Sequence, residues 1–283
     1  ALVYTPSIAC VQPWFTRRRG LAAGIASAGI GAGTLLVPLL AARLIGVLHW
    51  RSALQALAGG VLLLGLAATL QLRRAPSASG ARGAVAGLTL REALRTRPFR
   101  CLYAVALLSG PSMFIPFAHA SAAARDLGVA DAQAVGLVGL IGIGSLSGRF
   151  AIGALADRLG RPATLALALA ALGLSYGLWW AASGYVLMAA FALCVGLSYG
   201  GIVALLPALC MDLFGARAVA SIIGTLYTGA ALGNLLGPVV AGAVFDRVGS
   251  YGPVIWACIG LSALATLASA RLIRPQPAAK ARG

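Results

Sequence analysis

Arg149 stands inside a hydrophobic run over residues 133–156, eight positions before the next charged residue, Asp157. If that run is a helix crossing a bilayer, about 1.5 Å per residue places Arg149 roughly 12 Å deeper than Asp157, close to the midplane of a hydrocarbon layer about 30 Å thick. A guanidinium at that depth costs at least about 2.5–3.5 kcal/mol unless it faces a polar cavity, so it is expected to point inward, where an anion offsets the cost. The bland alternative is an arginine that snorkels to the surface or pairs with another span.

Other polar residues have more conventional settings. Gly153, Asp157, Arg158, Gly160 and Arg161 form a compact charged loop after the same run. Its Asp157 can accept hydrogen bonds from the amino terminus of a facing helix, which carries partial positive charge, and Arg158 and Arg161 can pair with Asp157 or with lipid phosphate. A second basic cluster, Arg17-Arg18-Arg19, precedes a Gly-rich run in which Gly20 and Gly24, then Gly29 and Gly33, share a helix face. His119, with an ordinary pKa near 6.5, lies beyond Pro111 and Pro116, and Ser109, Ser112 and Phe114 precede it as possible cavity lining. Tyr227, Thr228 and Asn234 are the polar positions of a run whose Gly229, Gly233 and Gly237 form a small-residue ridge. Tyr227 and Asn234 are candidate substrate contacts beside it.

Enzymatic constellations are not indicated. The chain has two histidines, His49 and His119, far apart, and no acidic residue in the middle of a hydrophobic run. Its five cysteines are scattered through apolar sequence without CxxC spacing, which points to neither a metal site nor a disulfide framework. No Walker-type loop occurs, so neither a nucleotide nor another cofactor is expected.

The elements that position these residues follow from hydrophobicity and charge. Residues 162–211 include no charged side chain, and fifty such residues hold two membrane crossings at about 20 each, with the turn near Ser183-Gly184. The chain is 60% hydrophobic and 10% charged, against about 25% charged in soluble domains. Eight segments, near 20–46, 52–72, 99–122, 133–156, 163–182, 185–211, 219–245 and 253–272, are each long enough to cross, and residues 1–13 read as the end of a ninth. Of 22 Lys and Arg, seventeen fall on one side of this topology, three (Arg51, Arg125, Arg247) on the other, and Arg43 and Arg149 within spans. The positive-inside rule makes the basic side, and the carboxyl terminus, cytoplasmic, in the cell or plasma membrane. The net charge of +16 is thus topology, and no nucleic-acid partner is expected. The polar tract 73–98 separates two spans from six; it reads as a linker, with disorder or a short amphipathic surface helix over 88–96 both fitting.

The loop Gly153-Ala154-Leu155-Ala156-Asp157-Arg158-Leu159-Gly160-Arg161 resembles the Gly-x-x-x-Asp-Arg-x-Gly-Arg loop of the major facilitator superfamily, which follows the second span of each six-span half. The resemblance implies an all-α, polytopic membrane helix bundle, seen in part: residues 1–72 as the end of span four with spans five and six, 73–98 as the linker, 99–272 as the carboxyl-terminal half and 273–283 as a tail. It also implies that the first three spans of the same transporter would be its partner. In the family the loop gates the cytoplasmic side, a role that would fall here to Gly153, Asp157, Arg158, Gly160 and Arg161, with Arg18 and Arg19 in the facing segment.

Within that superfamily, Trp14-Phe15-Thr16-Arg17-Arg18-Arg19-Gly20-Leu21-Ala22-Ala23-Gly24 is similar to the fifth-span signature of monocarboxylate transporters and their oxalate/formate-antiporter relatives. Phe117-Ala118-His119 and Ala124-Arg125-Asp126-Leu127-Gly128 resemble the seventh-span exit of bacterial members. The likeness implies secondary transport of a small organic anion with Arg149 on the anion, and with Tyr227, Asn234 and His119 as further contacts. Where these relatives often carry an Asp one turn before the arginine, this chain has Ser145, so proton coupling through such a pair lacks its acid. Residues 221–244 hold no second cation, which favours a monoanion over a dianion. Efflux of amphipathic compounds by the same fold, or a non-transporting sensor on it, are the alternatives.

Overall fold

The computed structural model describes residues 19–71 and 87–272, with side chains from residue 28 onward, Leu35 excepted. Nine helices follow one another in this part of the chain: α1 (Arg19–Val47), α2 (Trp50–Gln71), α3 (Leu90–Arg95), α4 (Arg97–Asp126), α5 (Asp131–Leu159), α6 (Arg161–Trp180), α7 (Tyr185–Phe214), α8 (Val219–Val248) and α9 (Gly252–Ala270). All but α3 are long and apolar enough to cross a membrane, and each of the eight full segments expected from hydropathy falls on one of them, while the partial span expected over 1–13 lies outside the described residues. With no water in a bilayer core, each crossing must satisfy its backbone internally, which leaves the helix as the available form for such runs.

Helix starts and stops are written locally. Proline occupies the first turn of α4, α6 and α9, where its missing N–H costs nothing. Gly160 adopts φ 82° between α5 and α6, a conformation that L side chains rarely take. Within 88–96 the chain forms the short helix α3. Thr89 caps it through a reciprocal box with Glu92, whose carboxylate accepts the Thr89 N–H at 2.8 Å. That bond holds the Glu92 carboxyl below its ordinary pKa. Leu88 N–H donates to the Phe214 carbonyl at 2.8 Å, pinning the end of the linker to the end of α7.

The helices from α4 onward meet along glycine-lined seams. On α5, Gly144 and Gly148 face Gly196 and Gly200 of α7, and all four are buried. A Cβ at Gly148 would overlap the Leu197 carbonyl, and one at Gly200 the Ser145 carbonyl, so the two backbones touch. On α8, Gly233 and Gly237 lie against Pro111 of α4, and Gly229 lies under the Tyr103 ring, as the ridge at these positions predicts. α1 packs on α5 through Gly31, where a Cβ would meet the Leu146 backbone at 3.1 Å. This differs from the expected Gly29–Gly33 face, around which there is open space among the described residues; Gly20 and Gly24 lie where side-chain surroundings are not described. α2 is apolar all round and almost wholly exposed, with Val61 at 70% and Leu64 at 75%. Such a surface is stable only in lipid or against further protein.

One of the two prolines inside α4, Pro116, is compensated by a side chain from another helix. Pro116 has no N–H for the Ser112 carbonyl. The hydroxyl of Tyr176 on α6 takes that place, donating to the Ser112 carbonyl at 2.7 Å. The Ser112 hydroxyl donates to the Cys258 carbonyl of α9 at 3.1 Å and accepts from the Ser262 hydroxyl at 3.1 Å. Tyr176, Ser112 and Ser262 are fully buried, so this node ties three helices together without water. Tyr176→Phe keeps the ring and orphans the carbonyl. Its expected cost is about 1–2 kcal/mol, read as a lowered thermal midpoint in detergent; an unchanged midpoint would mean that the carbonyl finds another donor.

Candidate functional site

Of the described residues, Arg149 is the one charged side chain buried in the bundle, at 2% exposure. It projects from α5 one turn after Ser145, which is also fully buried and whose Oγ has no hydrogen-bond partner among the described residues. Burial on this scale excludes the snorkelling alternative in this conformation. The close α5–α7 seam, where Gly148 meets Leu197 and Gly200 meets Ser145, brings Tyr199 of α7 to the neighbourhood of Arg149.

Tyr199 in turn meets two rings of α4. Its ring is edge-on to Phe114 at 6.1 Å and to Phe117 at 5.6 Å, and those two phenylalanines lie 5.6 Å apart. Three helices therefore converge on a fixed positive charge backed by an aromatic wall. In a low-dielectric interior such a charge attracts an anion strongly, and the rings suit an apolar body attached to it. Sequence reasoning singles out Arg149 and names Phe114 as possible cavity lining, whereas Tyr199 is brought to the site by the α5–α7 contact at Gly196 and Gly200. Ser109 and Ser112 do not join the wall: Ser109 bonds the Val105 carbonyl of its own helix at 2.7 Å, and Ser112 belongs to the α4–α6–α9 node.

The other expected contacts are distributed. Asn234 sits on the α4–α8 seam; its Oδ1 is buried without a hydrogen-bond partner among the described residues and would lie 3.0 Å from a Cβ at Gly110. Tyr227, two turns earlier on α8, is half-buried, with its hydroxyl inside the protein. His119 lies near the far end of α4. Its Nε2 is 3.0 Å from the Pro238 carbonyl, which can only accept, so in the neutral ring Nε2 carries the proton and Nδ1 accepts from the Tyr251 hydroxyl at 3.1 Å. Both ring nitrogens are thus engaged in tying α4 to α8 and to the start of α9.

At the basic end, Asp157 and Arg158 are exposed on the last turn of α5. Arg161 forms its ion pair with Asp212 at the end of α7 rather than with Asp157, reaching the Ala208 carbonyl at 3.5 Å as well. The turn at Gly160 redirects the chain so that Arg161 opens α6 and faces α7, while Asp157 stays on α5. Arg18 lies outside the described residues, and Arg19 opens α1 with its side chain outside them. The Arg161 and Asp212 side chains are 35% and 49% exposed, so solvent screens the pair. A double-mutant cycle over Arg161→Ala and Asp212→Asn is expected to give a coupling of about 0.2–1 kcal/mol; a coupling above about 2 kcal/mol would show that the pair is desolvated in the membrane-embedded protein.

Eight membrane-length apolar helices with an arginine buried between them define a polytopic helical membrane protein. The comparisons with known proteins agree. The model of the Major Facilitator Superfamily matches residues 1–219 and again 110–283. Over 258 residues the chain is 31% identical to monocarboxylate transporter 13 of Bos taurus, covering 89% of this chain and 59% of that protein. It is also 31% identical to monocarboxylate transporter 11 of Homo sapiens over 269 residues, 89% of this chain and 56% of that protein. A crystal structure of the E. coli fucose:proton symporter superposes with a TM-score of 0.65 at 16% identity, over 95% of this chain and 73% of that one, which is a likeness of fold. The chain belongs to the Major Facilitator Superfamily. It spans somewhat under 60% of the length of these curated relatives, 59% and 56%.

Proposed function

We propose that this chain is the later part, from the end of span four through span twelve, of a secondary transporter that moves a small organic monoanion of monocarboxylate size by alternating access. The observation that carries this reading is Arg149: a buried guanidinium beside the Phe114–Phe117–Tyr199 wall offers one positive charge to a carboxylate and an apolar surface to its short carbon chain. The names of the relatives, monocarboxylate transporters, support the same substrate class. Two helical halves rocking about a midplane site would expose Arg149 to each side in turn, with the Asp157–Arg161 loop latching the basic, cytoplasmic end. Ser145 supplies no titratable partner, so any proton coupling must use another group, and His119 is the candidate.

The test is uptake of labelled lactate, pyruvate and other small acids by the full-length transporter in proteoliposomes, with and without an inward proton gradient. Saturable uptake of a monocarboxylate is expected. Failure to move any acid would overturn the proposal and favour efflux of amphipathic compounds, a reading that the aromatic wall alone would also serve.

A further inference from the structure

Three arginines gather away from Arg149, at the start of α4 and the end of α9. A groove of about 300 Å³ opens between the first turns of α4 and the end of α9, lined by Arg97, Arg100, Cys101, Ala104, Ala268 and Arg271. No carboxylate lines it, and among the described residues none of the three arginines is ion-paired. Like charges gathered without a counterion repel one another, so the groove is electrostatically incomplete as it stands.

The lining is tiered. On α4, positions 97, 100, 101 and 104 follow the i, i+3, i+4, i+7 spacing of one helix face, and on α9 positions 268 and 271 are i and i+3. The guanidinium-bearing positions occupy the end of each helix, and the small residues Cys101, Ala104 and Ala268 lie deeper. From Arg97 to Ala104 the face descends about 10 Å along the axis. We propose that this groove binds an anionic phospholipid, the phosphate diester held by Arg97, Arg100 and Arg271 and the glycerol with the first acyl carbons lying on Cys101, Ala104 and Ala268. A free phosphate would use only the upper tier; the apolar tier beneath it is what fits a lipid. Basic pockets between spans on the cytoplasmic side are the general setting for such headgroups, and this is the basic end of the bundle.

Native mass spectrometry of the full-length protein, titrated with phosphatidylglycerol or phosphatidylcholine, reads the site directly. Preferential retention of phosphatidylglycerol is expected, falling about fivefold for each arginine neutralised and about a hundredfold in the triple variant Arg97→Gln/Arg100→Gln/Arg271→Gln. Ala268→Phe, which fills the lower tier and leaves every arginine in place, should lower retention as well, and it keeps the test open if the triple variant does not fold. The Arg91→Gln/Arg95→Gln control, which removes two positive charges on the same side but outside the groove, should retain wild-type binding. Equal retention of the two lipids, or an equal loss in the control, would overturn the proposal. So would displacement of the lipid by millimolar inorganic phosphate with Ala268→Phe silent, which would identify a soluble-anion site.

Discussion

Arg149→Ala in the full-length transporter is expected to lower the efficiency of saturable uptake by at least about thirtyfold, while the protein still elutes as a folded species. The size follows from burial. Removing one partner of a desolvated charge pair costs about 2–5 kcal/mol, which is roughly thirtyfold to several thousandfold in binding. The fold should survive, because a buried guanidinium is itself expensive to hold and alanine removes that expense along with the contact. Arg149→Lys keeps the charge but loses the planar fork that meets both oxygens of a carboxylate, and it is expected to retain only a small residue of uptake. Uptake unaffected by Arg149→Ala would make the residue structural and the anion site wrong.

The second large effect is on folding. Gly148→Leu or Gly200→Val should prevent assembly of the bundle, and even Gly148→Ala should cost about 3 kcal/mol or more, at the upper end of what overpacking does, because its Cβ would land on the backbone of Leu197 rather than on a side chain that can move. The control is Gly177→Ala on α6. Nothing lies within 4 Å of a Cβ there, so alanine is expected to be neutral or to stabilise by up to about 1 kcal/mol through better helix propensity. Thermal unfolding in detergent, followed by size exclusion, separates the cases; similar losses for Gly148→Ala and Gly177→Ala would mean that the α5–α7 contact is not made.

The crossings were legible in the sequence because hydropathy is a one-dimensional property: a run of about 20 apolar residues means the same thing whatever it later touches. That Arg149 falls well inside a helix of membrane-spanning length was legible for the same reason. Seams were not. Gly29 and Gly33 have the same four-residue spacing as Gly144 and Gly148, but spacing says which residues share a face and not which face meets a neighbour. Tyr176 was invisible because its task is set by Pro116, sixty positions earlier in the chain, through a carbonyl that only the folded arrangement brings within 2.7 Å. The Arg161–Asp212 pair could have been found. These residues bound the fifty-residue charge-free stretch, and two spans joined by a short turn must return to the side from which they started, bringing the two ends together.

The α5–α7 seam has a consequence for how this protein could be redirected to new cargo. Arg149 and Tyr199 stand on helices whose backbones touch, so the charge and the ring beside it travel as one inflexible plank. Phe114 and Phe117 belong to a different helix, α4, held by its own seam with α8. In the proposed transporter, affinity for a negative charge and preference for a particular carbon skeleton would therefore be written largely on separately replaceable parts. An engineer, or natural drift, could enlarge or narrow the wall by exchanging residues on α4 alone, leaving the demand for an anion untouched.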